Sequence, residues 1–476
     1  MLFNSFHFLF FFILVTTLYF ILPYKIRWLL LLLASCYFYM AFVPIYILIL
    51  GFTIVVDYFA GILIEQSLLK RRRLLLIISL VANIGILCIF KYYNFINDNF
   101  SFLLTGFGLS NPIPYLNILL PIGLSFHTFQ AMSYTIEVYR GNQKAERHFG
   151  IYALYVMFYP QLVAGPIERP QNLLHQFREK HRFDSDRVFE GLKIMIWGLF
   201  KKLVVADRLG IYVNGAYNNI EHQDGMTLLL ATIFFSFQIY CDFSGYSDIA
   251  IGTARVMGFD LMTNFKRPIL AKSTGGFWKR WHISLSTWFK DYLYFPMGGS
   301  KVSVPRWYFN LMVVFLISGL WHGSNWTYIV WGGINGFYLV FAIITKKYRE
   351  KFNAFIRIDR SPRLFLFTQI LTTFLLITFS RIFFRARTME EAFAVIKKIA
   401  TFKGSIFNDG VAIIIYSFLA IFFLMIVELK KEYYTGSFTL SNNKNFWIRN
   451  GYYASLIFLI VLLGVFDGGQ FIYFQF

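Results

Sequence analysis

The stretch ISGLWHGSNWTYIVWGGINGF, residues 317–337, holds one histidine, His322, and no Asp, Glu, Lys or Arg, between apolar runs at 307–321 and 326–345. Crossing a bilayer takes roughly 20 mostly apolar residues, so the two runs read as a pair of spanning helices joined at His322. Comparable runs lie at 6–22, 26–42, 45–64, 74–90, 116–138, 189–207, 228–250, 364–384, 411–427 and 452–466, which predicts an all-α polytopic membrane protein of eleven or twelve spans. Composition agrees: 57% of the 476 residues are hydrophobic and 15% are charged, against about 25% charged in a soluble domain. The first residues, MLFNSFHFLFFFILVTTLYFIL, lack a basic leader and a small-residue cleavage site, so they read as a retained span.

The net charge of +20, from 45 Lys and Arg against 25 Asp and Glu, would in a soluble protein point to nucleic acid. Here the cations cluster between apolar runs, as cytoplasmic loops do, and no nucleic-acid partner is expected. Lys25 and Arg27, then Lys70, Arg71, Arg72 and Arg73 two spans later, put the N-terminus outside. The stretch 252–306 carries nine Lys and Arg against Asp260 and Asp291, and with 139–150 it falls inside. Two spans between them leave no room for a crossing by Tyr152–Ala164. That run contains Pro160 and is closed by Gly165 and Pro166, and is expected to be re-entrant, buried in protein or lining a wet cavity. Lys346, Lys347, Arg349 and Lys351 also fall inside. No repeat or linker divides the chain, which reads as a single domain over 1–476.

Two stretches are too polar for lipid and too aromatic for simple loops. In 264–300, Trp278, Trp281, Trp288, Tyr292 and Tyr294 alternate with cations, as in helices held at an interface. In 385–404, Met389, Phe393, Val395 and Ile396 predict an amphipathic helix on the outer side, lying in headgroups or docking a partner.

An ionisable group within the membrane is costly and so a functional candidate. His322 is the foremost, walled by Trp321, Trp326 and Trp331 and flanked by Gly319, Gly323, Gly332, Gly333 and Gly336. His282, in FWKRWHISLSTW, is a second; His127 is a third, with packing its plainer role. A neutral imidazole takes a proton from a hydroxyl and returns it to a leaving group. No Gly-x-Ser-x-Gly elbow, P-loop, dinucleotide motif or His-Glu-x-x-His occurs, and Cys36, Cys88 and Cys241 have no zinc or disulfide spacing, so no metal is expected. The acids Glu137, Asp242 and Asp248 would instead serve a proton or ion path in a transporter of ions or polysaccharide.

Several segments together resemble the membrane-bound O-acyltransferase family, in its bacterial alginate O-acetylation branch. They are PIGLSFHTFQAMSYTIEVYRG (121–141), YPQLVAGPIERP (159–170), FQIYCDFSGYSDIAIGTARVMGFDL with NFKRP (237–268), GGFWKRWHISLSTWFKDYLYFPMGGS (275–300), GLWHGSNWTYIVWGGINGF (319–337) and the terminal FIYFQF (471–476). Most of 115–340 is covered.

The resemblance implies a ring of tilted helices with re-entrant and interfacial helices around a central buried site. It puts the family's essential histidine on His322 and its second histidine on His282. Asn335 stands where many relatives have a further histidine. It also implies an acyl thioester donor on the cytoplasmic side, acetyl-CoA or another, with no permanently bound cofactor. The acceptor, an exported polysaccharide such as alginate, would come from outside, with an extracytoplasmic SGNH-type partner completing the transfer at the bacterial inner membrane. O-acylation of peptidoglycan and D-alanylation of teichoic acid are the alternatives within the family. On the donor side, Lys266, Arg267, Lys272, Lys279 and Arg280 would meet CoA phosphates, or equally serve topology and headgroup contact.

Overall fold

With no water in the hydrocarbon core, each spanning segment must satisfy its own backbone N–H and C=O groups, and helix is the form that does so within one segment. The computed structural model describes residues 1–118, 120–406, 410–434, 443, 445–466 and 471–472. The last four residues of the terminal FIYFQF lie outside them. No strand occurs among the described residues, and eight helices there are long and apolar enough to cross a membrane. Phe6–Ile21 is apolar but shorter. Two compact units form, Met1–Met195 with Tyr246–Met262, and Ile196–Gly245 with Thr263–Phe476.

The first unit is organised by α1 (Ile47–Gln66), α2 (Leu69–Leu87) and α3 (Leu124–Arg140). Asp57 of α1 is fully buried and accepts from Ser79 (2.6 Å) and Asn83 (2.8 and 3.1 Å) of α2. Gly61 of α1 meets Tyr134 of α3 so closely that a Cβ would stand 2.6 Å from its ring. The sequence expectation of a span over 116–138 is wrong in its first part, since helix begins only at Leu124. Pro112, Pro114 and Pro121 cannot continue a helix and Gly123 takes φ +78°. The extended chain before it is satisfied by side chains: Asn94 donates to Leu116 O and accepts from Leu116 N–H, and Asn97 donates to Ile113 O.

The run around Tyr152 forms α4 (Phe149–Met157), nine residues long and buried but for Phe149. At 1.5 Å per residue it reaches about 14 Å, half a bilayer core. The turns that follow it are buried in protein too. Gln130 and Gln161 both donate to the carbonyl of Tyr155, whose hydroxyl donates to Glu168 O.

The long helix α5 (Gly225–Met257) contributes to both units. Residues 264–300 form short pieces rather than long interfacial helices: Thr274–Trp278, then α6 (Ile283–Phe289) running into a wide π turn at Lys290–Tyr294. Then come α7 (Val304–His322), α8 (Trp326–Ile344), α9 (Pro362–Arg385), α10 (Met389–Ile399) and α11 (Val411–Tyr433). In the amphipathic α10, Ala392 and Val395 are fully buried and Met389 and Ile396 pack on the core of the second unit, leaving Phe393 exposed. Its apolar face is therefore largely covered by the protein itself, with Phe393 its one exposed large apolar residue.

After α2 the helix continues through a π turn at Cys88–Tyr92 to Gly106, and Asn97 is buried within it. The exposed loop is 107–110. A cysteine at Ser110 is therefore expected to react with a membrane-impermeant thiol reagent on intact cells, and cysteines at Arg71 or Lys347 to be shielded. Labelling at Arg71→Cys from outside would reverse the orientation.

Candidate active site

The position of His322 is set by how closely α7 and α8 approach. A Cβ on Gly319 would lie 2.3 Å from Tyr328 O, and one on Gly332 2.3 Å from Phe315 O, so the two backbones touch where only glycine fits. The turn between the helices is three residues long. A Cβ on Gly323 would stand 2.1 Å from the Tyr328 ring. Asn325 caps α8, its Oδ1 accepting from Thr327 N–H at 3.0 Å, while its Nδ2 donates to Arg387 O at 2.7 Å. His322 is the last residue of α7 and is 3% exposed. The rings of Trp321 and Trp331 stand edge-on to its imidazole with centroids 5.0 Å away, and Phe384 of α9 at 5.4 Å. Aromatic walls of this kind exclude water from the imidazole.

His282 is also buried, 1% exposed, and its backbone takes the left-handed conformation at φ +43°. For a residue other than glycine this costs of order 1–3 kcal/mol and needs a surrounding structure to hold it. Asn264 provides it. Its backbone O accepts from Ile283 N–H at 2.9 Å, and its Oδ1 from the N–H and hydroxyl of Ser284 at 3.2 and 3.0 Å. Lys266 N–H bonds Arg280 O at 2.9 Å on the other side of the histidine. Phe243 stands edge-on to the His282 ring at 4.6 Å, and Phe265 lies nearly parallel at 6.4 Å. His282 lies outside the candidate spans, and burial pushes its imidazole down to about 3, so it is neutral near pH 7.

Trp321 links the pair. Its ring lies 5.0 Å from His322 and 6.1 Å from His282, so the two histidines singled out in the sequence face one indole. His127 belongs to the first unit, where its Nε2 meets Thr53 Oγ1 at 2.5 Å. Asn335 is fully buried one turn beyond Trp331, donating to its carbonyl at 2.8 Å.

The five basic candidates divide. Arg267 and Arg280 share Glu432 of α11, at 2.6 and 2.9 Å, whereas Lys266 and Lys279 are exposed. Lys272 is exposed as well. Of the acids considered for an ion path, Glu137 pairs with Arg140 at 3.2 Å and accepts from Asn142 and Gln171. Asp242 binds Lys202 at 2.6 Å and accepts from the backbone N–H of Ile472 at 2.7 Å, tying the end of the described chain to α5. Asp248 lies half-buried on the same helix. These bonds give Glu137 and Asp242 structural duties.

Of the buried ionisable residues that escaped the sequence reading, one lies beside the candidate site. Arg381 of α9 is 5% exposed, donates to Ser236 O at 2.8 Å, and lies 4.8 Å over the Trp281 ring beside His282. Its signal was a lone cation inside the apolar run 364–384.

Residues 143–382 match the model of the MBOAT, membrane-bound O-acyltransferase, family. The chain is 36% identical to a probable alginate O-acetylase AlgI of Pseudomonas aeruginosa over 84% of its own length and 75% of that protein's. It is 34% identical to a peptidoglycan O-acetyltransferase of Helicobacter pylori, over 79% of this chain and 74% of the other. A teichoic acid D-alanyltransferase of Bacillus subtilis is 28% identical over 47% of this chain and 60% of its own.

The glycine contact yields a direct test of how the site is built. Gly332→Ala is expected to push α8 off α7, lower stability by about 1–3 kcal/mol and displace Trp331 from His322. Thermal unfolding in detergent should show the loss, whereas Gly333→Ala, where a Cβ would be 3.5 Å from Leu316, should be near neutral.

Proposed function

Because the chain belongs to the membrane-bound O-acyltransferase family, and is thus an O-acyltransferase, we propose that it carries acetyl groups from a cytoplasmic thioester toward hydroxyls of an exported polysaccharide such as alginate. The observation that carries this is the caged imidazole of His322 at the end of a spanning helix, one residue from a polar turn. Charged CoA does not cross a bilayer, so donor and acceptor must approach one buried base from opposite sides.

In this reading a neutral His322 takes the proton from an acceptor hydroxyl as its oxygen attacks the thioester carbonyl. The carbonyl's electron pair moves to oxygen, then returns to expel the thiolate, which recovers the proton from the imidazolium. His282, fixed by Asn264, would orient the acyl carbonyl, and the Arg381 cation over Trp281 would favour the negative charge that develops. Exposed Lys266, Lys272 and Lys279 are suited to donor phosphates; Arg267 and Arg280, both paired to Glu432, are suited to fixing the loop. The acceptor end would hand the group to an extracytoplasmic SGNH-type partner, with the N-terminus on the same outer side of the bacterial inner membrane.

Peptidoglycan is the second reading for the acceptor, favoured by the relative of that name at 34% identity. The two separate on which purified glycan receives label from acetyl thioester.

His322→Ala is expected to lower acyl transfer by about 100-fold to 10,000-fold in protein that still inserts, as loss of a proton-transfer group does. His282→Ala should show a milder loss, since positioning contributes less than the base. Near-normal turnover in His322→Ala would overturn the assignment.

A further inference from the structure

The first unit holds a carboxyl group for which the transfer chemistry has no use. Asp57 of α1 is fully buried midway along a candidate span, Pro44–Gln66, and among the described residues no Lys, Arg or His pairs with it. Every hydrogen bond it makes is one it accepts from α2: Ser79 Oγ at 2.6 Å, and Asn83 Nδ2 at 3.1 and 2.8 Å to its two oxygens. Ser79 Oγ also lies 3.1 Å from Thr135 Oγ1 of α3, so three helices meet there. Asn83 is fully buried too, and its Oδ1 has no hydrogen-bond partner. Turning the amide would not mend this, because its Nδ2 also donates to Ser79 O at 3.0 Å and that bond would be lost. The hydroxyl of Tyr152, within electrostatic reach of Asp57, is a second buried oxygen left unbonded.

We propose that Asp57, Ser79, Asn83 and Thr135 form a site for one small monovalent cation, sodium, which ties α1, α2 and α3 together. A carboxylate buried at membrane depth without a counter-charge is costly, and either a proton or a cation removes the cost. A proton on Asp57 would leave Asn83 Oδ1 orphaned as before, whereas a cation between amide and carboxylate gives that oxygen a partner. The hydroxyls can join in. Ser79 spends its one proton on Asp57 and Thr135 its own on Met132 O at 3.2 Å, so both keep lone pairs. An all-oxygen set suits a hard cation, and one carboxylate balances a single positive charge where a divalent ion would leave an excess in the interior. Size points the same way. The oxygens stand 2.6–3.1 Å apart, and Gly61 lets α1 come so near α3 that a Cβ would be 2.6 Å from the Tyr134 ring, which favours sodium over the larger potassium. The site belongs wholly to the first unit and does not depend on the role of His322.

The test is thermal unfolding of the purified full-length protein in detergent as sodium chloride replaces choline chloride at constant total salt. The unfolding temperature is expected to rise by roughly 2–6 °C over about a hundredfold increase of sodium above its dissociation constant, and by less in potassium. Asp57→Asn, which keeps the shape and removes the charge, should abolish the rise. Ser79→Ala should need roughly tenfold more sodium for the same rise, as loss of one oxygen partner gives. Where a variant fails to fold, binding of radioactive sodium to the unmodified protein decides, with a single ion per chain expected, displaced by unlabelled sodium and not by choline. Equal unfolding temperatures in sodium and choline would overturn the proposal and leave Asp57 to a proton. A larger rise in calcium than in sodium at equal concentration would overturn the monovalent assignment, and a full sodium response retained in Asp57→Asn would overturn the site.

Discussion

The contact of α7 with α8 through Gly319 and Gly332 is the constraint on which the candidate site depends. In lipid, helices gain nothing by hiding apolar surface from each other, so close approach has to come from small residues that let backbones touch. Here that approach brings Trp331 of one helix against His322 of the other, and it leaves a turn so tight that Gly323 must lie under the Tyr328 ring. The aromatic cage follows from backbone geometry, because Trp321, Trp331 and Phe384 stand edge-on to the imidazole once the helix pair and α9 are in place.

A second constraint is that buried ions must be paired, and in the second unit the pairs also join distant parts of the chain. Lys202 binds both Asp207 and Asp242, and Asp242 in turn holds the backbone of Ile472. Glu432 holds Arg267 and Arg280, the two ends of the loop that presents His282. Breaking one partner of such a set leaves a charge unsatisfied, so each acts as a fixed joint. That differs from the duty of ionisable groups in a transporter path, which must change partners to work.

The spans and His322 were legible because both follow from local composition: apolar length defines a helix in lipid, and a lone histidine between such helices is costly enough to need a reason. His282 was visible as a residue, but the means of holding it was not. Asn264 lies 18 positions earlier, and nothing in either segment alone tells that its side chain would cap Ser284. The start of α3 was misplaced because apolar content over 116–123 outweighed the prolines, although Pro121 and Gly123 state the boundary. Asn97, just past the apolar run 74–90, satisfies the backbone of a non-helical segment nearby, a duty that its local sequence does not reveal. Arg381 shows the same limit from the other side, since a cation in an apolar run is visible while the rings that shield it are not.

Two different surroundings have thus been built for two buried histidines. His322 ends a helix at the turn where polar groups begin, so one side of the imidazole meets aromatic rings while the adjacent residue borders a polar-lined cavity. His282 lies in a loop tied down on both flanks by backbone hydrogen bonds, with Phe243 and Phe265 about it. A base must exchange a proton with a group that arrives and departs, which requires access from one side. A residue that only orients its target is better held with no freedom at all. The left-handed backbone of His282, maintained at an energetic cost by Asn264, suits the orienting role, and the helix-terminal seat of His322 suits the exchanging one.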